Sequence, residues 1–320
     1  MSAPPTTAPP KTALLDAYPE LTPFRDAARA ADWPALAEQF AALTDADARV
    51  IAGVVVDESV PDGFLEGVVA EQRTAGRLAD VLALALFGQR LVTLGWKVRS
   101  GAQAQYVHAQ QFQRFHEILR ESERALIEAC AREPGEPLAW ITRLSTARGL
   151  ELGVAEARRR YDRLNRVAPG NYRAQSRMIQ QLSPKWSGSY EAMHGFAQEC
   201  LQAAPPGTIT GALVAEAHIE HWLRLNWNAN GPGDIYIATP AVQQDIAAAA
   251  ARSVRHPDYR PTYDWVLAQA SFAMAFSLAG NYAAAAPHFR ALGPLGSRHP
   301  WDYLHEAAFS THRARALAEG

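Results

Sequence analysis

Apolar residues recur every three or four positions along most of the chain, which is the spacing of one face of an α-helix. The clearest example is residues 102–132, where charged side chains occupy the faces that the apolar stripe leaves open. That stripe contains Phe112, Phe115, Leu119, Leu126 and Cys130. Runs that alternate with period two are few, and the one β-like fragment, residues 235–237, is too short to form a sheet. The pattern predicts an all-α protein.

Helix-breaking residues punctuate the second half of the chain at regular intervals. Helix-like stretches of about 12 to 18 residues lie between clusters that contain Gly, Pro or Asn. These clusters fall at residues 149–153, 169–170, 184–188, 205–207, 228–234, 256–257, 280–281 and 293–300. This regular spacing of helices and breaks predicts antiparallel helix hairpins joined by short turns.

Inside these hairpins a small residue and an aromatic residue recur in one order, with a period of about 35 residues between the two clearest copies. The copies are Gly153, Ala157 and Tyr161; Gly188, Ala192 and Phe196; Gly280, Ala285 and Phe289; and, more weakly, Ala31, Trp33, Leu36 and Phe40. The small residue lets two helices approach, and the aromatic ring fills the space one turn further on. The order resembles a degenerate tetratricopeptide repeat (TPR), so the predicted fold is a TPR-like α-solenoid of antiparallel helix hairpins.

A second resemblance concerns the middle of the chain. Its most specific segment is Lys-Trp-Ser-Gly-Ser at residues 185–189, and further segments lie at residues 147–149, 156–160, 204–207 and 217–220. Together these segments resemble a bacterial family known as domain of unknown function 4034, over most of the first two thirds of the chain. The resemblance implies a TPR-like helical fold and brings no established activity with it.

Composition and the positions of the helix-breaking clusters divide the chain into four predicted regions. Residues 1–11 are rich in Pro, Ala and Thr and are expected to be a disordered tail without the features of a signal peptide. An N-terminal helical region at 12–133, a central TPR-like repeat region at 134–226 and a C-terminal helical region at 227–320 follow.

The composition narrows the class of protein. With 48% hydrophobic and 20% charged residues the chain is expected to fold, and its formal net charge of -2 excludes a globally basic nucleic-acid binder. Two cysteines, Cys130 and Cys200, suit a reducing compartment. The longest apolar run, residues 81–87, is far shorter than the ~20 residues of a membrane span. We therefore expect a cytoplasmic protein without membrane insertion.

Charge is distributed unevenly along the chain. Residues 143–177 contain nine arginines and three acidic residues, whereas residues 1–60 contain four basic and nine acidic residues. Arg159, Arg163 and Arg166 share one predicted helix face, and guanidinium groups suit carboxylates and phosphates. The face is either a solvated surface, a partner for the acidic N-terminal residues, or a site for an acidic protein; a nucleic-acid backbone is the least expected ligand.

A short turn at residues 185–190 adds to this predicted surface. Lys185 and Trp186 precede a helix N-terminus, where a positive charge and an aromatic ring suit an anionic or aromatic ligand. The alternative is a helix-entry turn with a serine cap, in which Trp186 packs on the previous hairpin. The complete set of predicted partner-binding residues is Arg159, Arg163, Arg166, Arg173, Lys185 and Trp186.

Four further residues are candidates for a metal site. Glu191 and His194 are three positions apart on one predicted helix, and His218 and His221 have the same spacing on the next. Helical di-iron sites use facing Glu-x-x-His pairs, but they need two such motifs and two more carboxylates, and this chain supplies one motif. The alternative is that these histidines form hydrogen bonds between hairpins. No nucleophile elbow, phosphate loop, dinucleotide fingerprint or Cys-x-x-Cys pair is present, so no catalytic residue is predicted.

The sequence therefore favours a non-catalytic protein-interaction scaffold, which binds a peptide or helix of an unidentified and preferentially acidic partner in a TPR-like groove with a basic patch. No cofactor is expected. The alternative is a helical enzyme or metal-binding protein that uses the Glu/His cluster.

Overall fold

A computed structural model describes residues 9–76, 78–100, 108–227 and 231–320. This part of the chain contains seventeen α-helices and no strand, which confirms the all-α prediction. Most of the predicted disordered tail, residues 1–11, lies outside the described residues. So does the beginning of the helix predicted from residue 102.

The helices are named α1 to α17 in chain order, and short 3₁₀ turns lie at Pro19–Leu21, Pro184–Trp186, Ile209–Gly211 and Trp301–Tyr303. Their bounds are α1 Leu14–Ala17, α2 Thr22–Arg29, α3 Trp33–Ala42, α4 Ala46–Ser59, α5 Phe64–Thr74, α6 Val81–Arg99, α7 Ala109–Arg132, α8 Pro137–Gly149, α9 Val154–Val167, α10 Tyr172–Leu182, α11 Tyr190–Ala203, α12 Ala212–Asn226, α13 Pro232–Ile237, α14 Pro240–Arg252, α15 Trp265–Leu278, α16 Tyr282–Leu292 and α17 Ala308–Glu319.

Most predicted helix breaks coincide with the ends of these helices, and local hydrogen bonds explain why. Gly153 adopts φ 84°, a left-handed value that favours glycine, directly before α9. The Ser189 hydroxyl accepts a hydrogen bond from the Ala192 amide at 3.0 Å and caps α11. The β-like fragment at 235–237 instead belongs to α13, because the Gly233 amide donates to the Asn226 side chain at 2.8 Å and ties that turn to the end of α12.

The chain forms two compact units. One spans Tyr18–Met178, and the other combines the N-terminal segment through Ala17 with Ile179–Gly320. The division falls inside α10, within the region predicted at 134–226. Within each unit the helices pack largely on their neighbours in the chain, which is consistent with a solenoid. The TPR-like repeat type stays a prediction.

The unit Tyr18–Met178 is built around α6, which packs against α4, α5, α7 and α8. Leu84, Leu86, Phe115 and Leu119 are fully buried there. By length and composition α6 is the one helix of the described residues that could cross a membrane, and 56% of the tested stretch is buried inside the protein. That burial is typical of a core helix.

The other unit is built around α12, which packs against α11, α13, α14 and α15. Nine consecutive residues of α12, 212–220, are buried, so any polar side chain among them needs a partner inside the protein. The predicted packing role of Ala192 on the neighbouring α11 is wrong, because Ala192 is exposed. Met193, one position further along, is fully buried in its place, and Phe196 is buried as predicted.

Candidate functional site

Three of the four predicted metal candidates lie together between α11 and α12. The Nε2 atom of His194 lies 3.1 Å from Nδ1 of His221, and the ring centroids of His194 and His218 are 4.6 Å apart. His218 and His221 are neighbours because residues three apart share one face of a helix. Glu191 is exposed, and none of the hydrogen bonds of the cluster involves it.

Two residues that the sequence analysis did not select complete this histidine cluster, which we define as His194, His218, His221, Tyr236 and Asp245. The Asp245 carboxylate of α14 lies 2.9 Å from His218 Nε2. The Tyr236 hydroxyl of α13 lies 2.6 Å from His218 Nδ1 and 3.4 Å from His194 Nε2. Four consecutive helices, α11 to α14, therefore contribute to one site.

The hydrogen bonds of the cluster have one consistent direction. An ionised Asp245 only accepts, so His218 donates to it through Nε2–H and accepts at Nδ1. The Tyr236 O–H then donates to His218 Nδ1, and the oxygen lone pairs of Tyr236 remain available towards His194. Asp245 thereby fixes the tautomer of His218 and the position of the Tyr236 hydroxyl hydrogen.

Two contacts around the cluster fix its geometry further. The Tyr190 ring stacks on His221 with ring centroids 3.7 Å apart and an interplanar angle of 12°. The Gln198 amide donates to the second oxygen of Asp245 at 2.7 Å. His218 is buried, whereas His194, His221, Tyr236 and Asp245 are half-buried. The cluster is thus preorganised and still reaches solvent.

The electrostatics of the cluster keep the rings of His194 and His221 uncharged at neutral pH. Burial, together with His218 and His221, lowers the pKa of His194 to about 3. Burial and His218 lower the pKa of His221 to about 4. Burial raises the pKa of Tyr236, and the hydrogen bond from His218 lowers the pKa of Asp245. At neutral pH the nitrogens of His194 and His221 that face each other therefore share one hydrogen.

Within the described residues, no group of three or more His, Cys, Asp or Glu side chains is arranged to hold a metal ion. The di-iron arrangement considered from the sequence therefore does not form. One sequence signal for Asp245 exists, because it lies on the buried stripe of α14 between Val242 and Ile246. No local signal marks Tyr236, because its position depends on the turn that returns α13 to α12.

The predicted arginine surface lies in the unit Tyr18–Met178. Arg159, Arg163 and Arg166 are exposed on α9, while Tyr161 and Leu164 on the opposite face are buried. Arg159 donates to both oxygens of Glu156 at 2.7 and 2.8 Å. Arg166 donates to the backbone oxygen of Asp162 at 3.2 Å. Arg163 lies 5.9 Å above the ring of Trp140, and it forms no ion pair with an acidic residue in the part of the chain that the structure describes.

Other arginines of the same segment have internal roles. Arg143 and Arg160 are buried, and both donate to the Glu123 carboxylate of α7 at 2.8 Å. The Thr146 hydroxyl donates to the second oxygen of Glu123, and Glu156 accepts from Arg160 at 2.7 Å. We call these five residues the Glu123 network. Arg148 and Arg177 line a separate cleft of about 570 Å³ with Trp96 and Lys97.

The remaining predicted contact residues are placed differently. Arg173 is half-buried near the beginning of α10, whereas Lys185 and Trp186 form a 3₁₀ turn that belongs to the other unit. The Lys185 ammonium is bound to the buried carboxylate of Glu220 at 2.7 Å, where Tyr303 also donates. The arrangement corresponds to the helix-entry turn, with Ser189 as the cap.

Comparison with protein-family models, with curated proteins and with solved structures gives no match for this chain. The resemblance to domain of unknown function 4034 therefore stays a prediction. The two candidate sites, the histidine cluster and the arginine face of α9, depend on their geometry and chemistry alone.

Proposed function

We propose that this chain is a protein-interaction scaffold that binds an acidic segment of a partner protein along the exposed arginine face of α9. The observation that carries the proposal is the state of Arg163 and Arg166. Both side chains are exposed, and neither is paired with a carboxylate of the described residues. Their charge is available to a partner.

The helix that presents these arginines is firmly held. Leu164 and Ala157 are buried beneath the exposed face, and Arg160 attaches α9 to Glu123 of α7. Arg163 and Arg166 are one helical turn apart, a separation that matches two carboxylates spaced one turn apart on a partner helix. A rigid surface loses little conformational entropy when a partner binds.

Charge pairing favours a protein carboxylate as the ligand. Guanidinium groups bind carboxylates through two parallel hydrogen bonds, and Arg159 already binds Glu156 in this way on the same face. Stacking of nucleic-acid bases needs several exposed aromatic rings beside the cations. On α9 the one tyrosine, Tyr161, is buried.

The test is an affinity capture from the native cells with the full chain as bait. We expect one stoichiometric partner that Arg163→Glu/Arg166→Glu no longer captures, because the substitution reverses both charges. Binding is also expected to weaken as salt rises, since exposed ion pairs are screened.

A matched control lies on α7 of the same unit. Arg120→Glu/Arg124→Glu makes the same change in charge at two exposed arginines, in a helix where acidic and basic residues balance. Equal loss in both double variants would contradict a specific face on α9. Capture that is undiminished in Arg163→Glu/Arg166→Glu would contradict the proposal itself.

A further inference from the structure

The histidine cluster places three potential metal ligands, two imidazole nitrogens and one phenol oxygen, beside one another. His194 Nε2 and His221 Nδ1 are 3.1 Å apart, and the Tyr236 oxygen is 3.4 Å from His194 Nε2. Nitrogen and oxygen ligands lie ~2.0–2.2 Å from a tetrahedral metal ion, so two of them are about 3.3–3.6 Å from each other. The distance from Tyr236 to His194 lies in that range, and the distance from His194 to His221 is slightly shorter.

From this geometry we infer that His194, His221 and Tyr236 form a binding site for a first-row transition-metal ion. Imidazole nitrogen suits zinc, copper, iron and nickel, whereas calcium and magnesium need a set of oxygen ligands. Three protein ligands leave one tetrahedral position for water or a small ligand, as in catalytic zinc sites. The third ligand of this site is the Tyr236 oxygen, so the site differs from a set of three histidine, cysteine or carboxylate ligands, which the described residues do not form.

The remaining members of the cluster have the positions of supporting residues. A ligand that is held by a hydrogen-bonded carboxylate–histidine pair has a fixed orientation, and loss of such a pair typically weakens metal binding 10–100-fold. Here Asp245 holds His218, and His218 holds the hydroxyl hydrogen of Tyr236 at 2.6 Å between the heavy atoms. The lone pairs of Tyr236 are therefore directed away from His218 and towards His194.

The proton balance of metal binding is also satisfied. If the metal ion binds the Tyr236 oxygen as phenolate, the proton moves to His218 Nδ1, which already accepts that hydrogen bond. The Asp245 carboxylate then stabilises the resulting imidazolium. On binding, the hydrogen between His194 and His221 moves to the outer nitrogen of the ring that carried it, so that both facing nitrogens become ligands of neutral imidazole rings.

The inference is tested on the full chain with Zn²⁺ and with Cu²⁺, each added alone. Calorimetric titration with Zn²⁺ is expected to give one site per chain. His194→Gln and His221→Gln are each expected to weaken that binding at least tenfold, because glutamine keeps a hydrogen-bonding group and removes the metal ligand. With Cu²⁺, wild type is expected to show a visible charge-transfer band from the tyrosinate ligand, which Tyr236→Phe abolishes.

Two controls distinguish this site from nonspecific binding of Zn²⁺ by exposed side chains. The first control is Glu191→Gln, because Glu191 is exposed on α11 one turn from His194. The second is His305→Gln, which removes an exposed histidine of the same unit. Both are expected to leave the Zn²⁺ affinity unchanged. Asp245→Asn is expected to weaken binding 10–100-fold and to retain the one-to-one stoichiometry.

Several outcomes would overturn the inference. They are the absence of one-to-one Zn²⁺ binding in wild type, equal losses in His194→Gln and His305→Gln, and a Cu²⁺ band that persists in Tyr236→Phe. The wild-type band needs no variant, so misfolding of a variant does not prevent the test. The site and the arginine face of α9 belong to different units, and failure of one proposal leaves the other intact.

Discussion

The Glu123 network and the histidine cluster are both polar groups enclosed between helices, and they are built in opposite ways. In the Glu123 network two guanidinium groups share one carboxylate, and a second carboxylate, Glu156, adds to the same charge balance. In the histidine cluster the single carboxylate, Asp245, contacts His218, and the nitrogens of His194 and His221 face each other.

This difference distinguishes a structural network from a binding site. A buried ion network is stable only when each charge has a partner, and the Glu123 network meets that requirement with residues of its own unit. The facing nitrogens of His194 and His221 share one hydrogen bond, and both can become ligands when a cation takes the place of that hydrogen. The contrast assigns stability to the first group and ligand binding to the second.

The largest expected effect is the loss of the carboxylate in the Glu123 network. Glu123→Ala leaves Arg143 and Arg160 buried without their shared partner, and we expect a loss of about 3–5 kcal/mol in the free energy of unfolding. Urea denaturation measures it. Glu121→Ala, at an exposed position of the same helix, is expected to change it by less than about 0.5 kcal/mol. A loss below about 1 kcal/mol for Glu123→Ala would show that the network is not needed for stability.

The second effect is a pH dependence of the free energy of unfolding, which differs between the histidine cluster and the Glu123 network. Because His194 and His221 have lowered pKa values of about 3 and about 4, the unfolded chain takes up protons first as the pH falls below about 6.5. Acid therefore destabilises the folded cluster in that range. Glu156 has a pKa lowered to about 2 by Arg159 and then Arg160, so its contribution is lost only below about pH 4.5.

This prediction is measured by urea unfolding at pH 7 and pH 5. From pH 7 to pH 5 the two histidines can lower the free energy of unfolding by at most about 4 kcal/mol. Because both side chains are partly exposed, the expected loss is about 2 kcal/mol. His194→Gln/His221→Gln is expected to lose correspondingly less than wild type over the same interval. Identical losses in the two proteins would contradict the lowered pKa values.

The smallest effect concerns Lys185, a residue that the sequence placed in the partner surface. Its ammonium binds the buried Glu220, whose pKa is lowered by Lys185 and by hydrogen bonds from Tyr303 and Gln180 against the opposing effect of burial. Lys185→Ala is expected to cost about 1.5 kcal/mol of unfolding free energy, because two donors remain. It is also expected to leave partner capture unchanged, and the reverse result would place Lys185 in the binding surface.

Local patterns predicted the helices well, because periodicity, proline and glycine act within a few residues. The breaks at 149–153, 169–170 and 280–281 each separate two helices of the structure. The β-like fragment at 235–237 shows the limit of this approach. Its residues are helical because Asn226 holds Gly233 and because Asp234 accepts from Trp222, contacts that link two different helices.

The candidate sites were predictable to different degrees for the same reason. His218 and His221 were predicted as neighbours because they share a helix face, and α11 then placed His194 beside them. Tyr236 and Asp245 come from later helices, so their place depends on tertiary packing. Arg160 was counted with the basic surface segment, although it is buried, since the sequence alone does not show which carboxylate from another helix meets it.

The most direct test of the contrast is the free energy of unfolding with and without Zn²⁺. At a free Zn²⁺ concentration of 100 times the dissociation constant, wild type is expected to gain about 2.7 kcal/mol, because a ligand that binds only the folded state stabilises it by mass action. Glu123→Ala is expected to gain the same amount from its lower starting point, and His194→Gln/His221→Gln is expected to gain none. No gain in wild type, or an equal gain in the histidine double variant, would contradict the assignment of ligand binding to the histidine cluster.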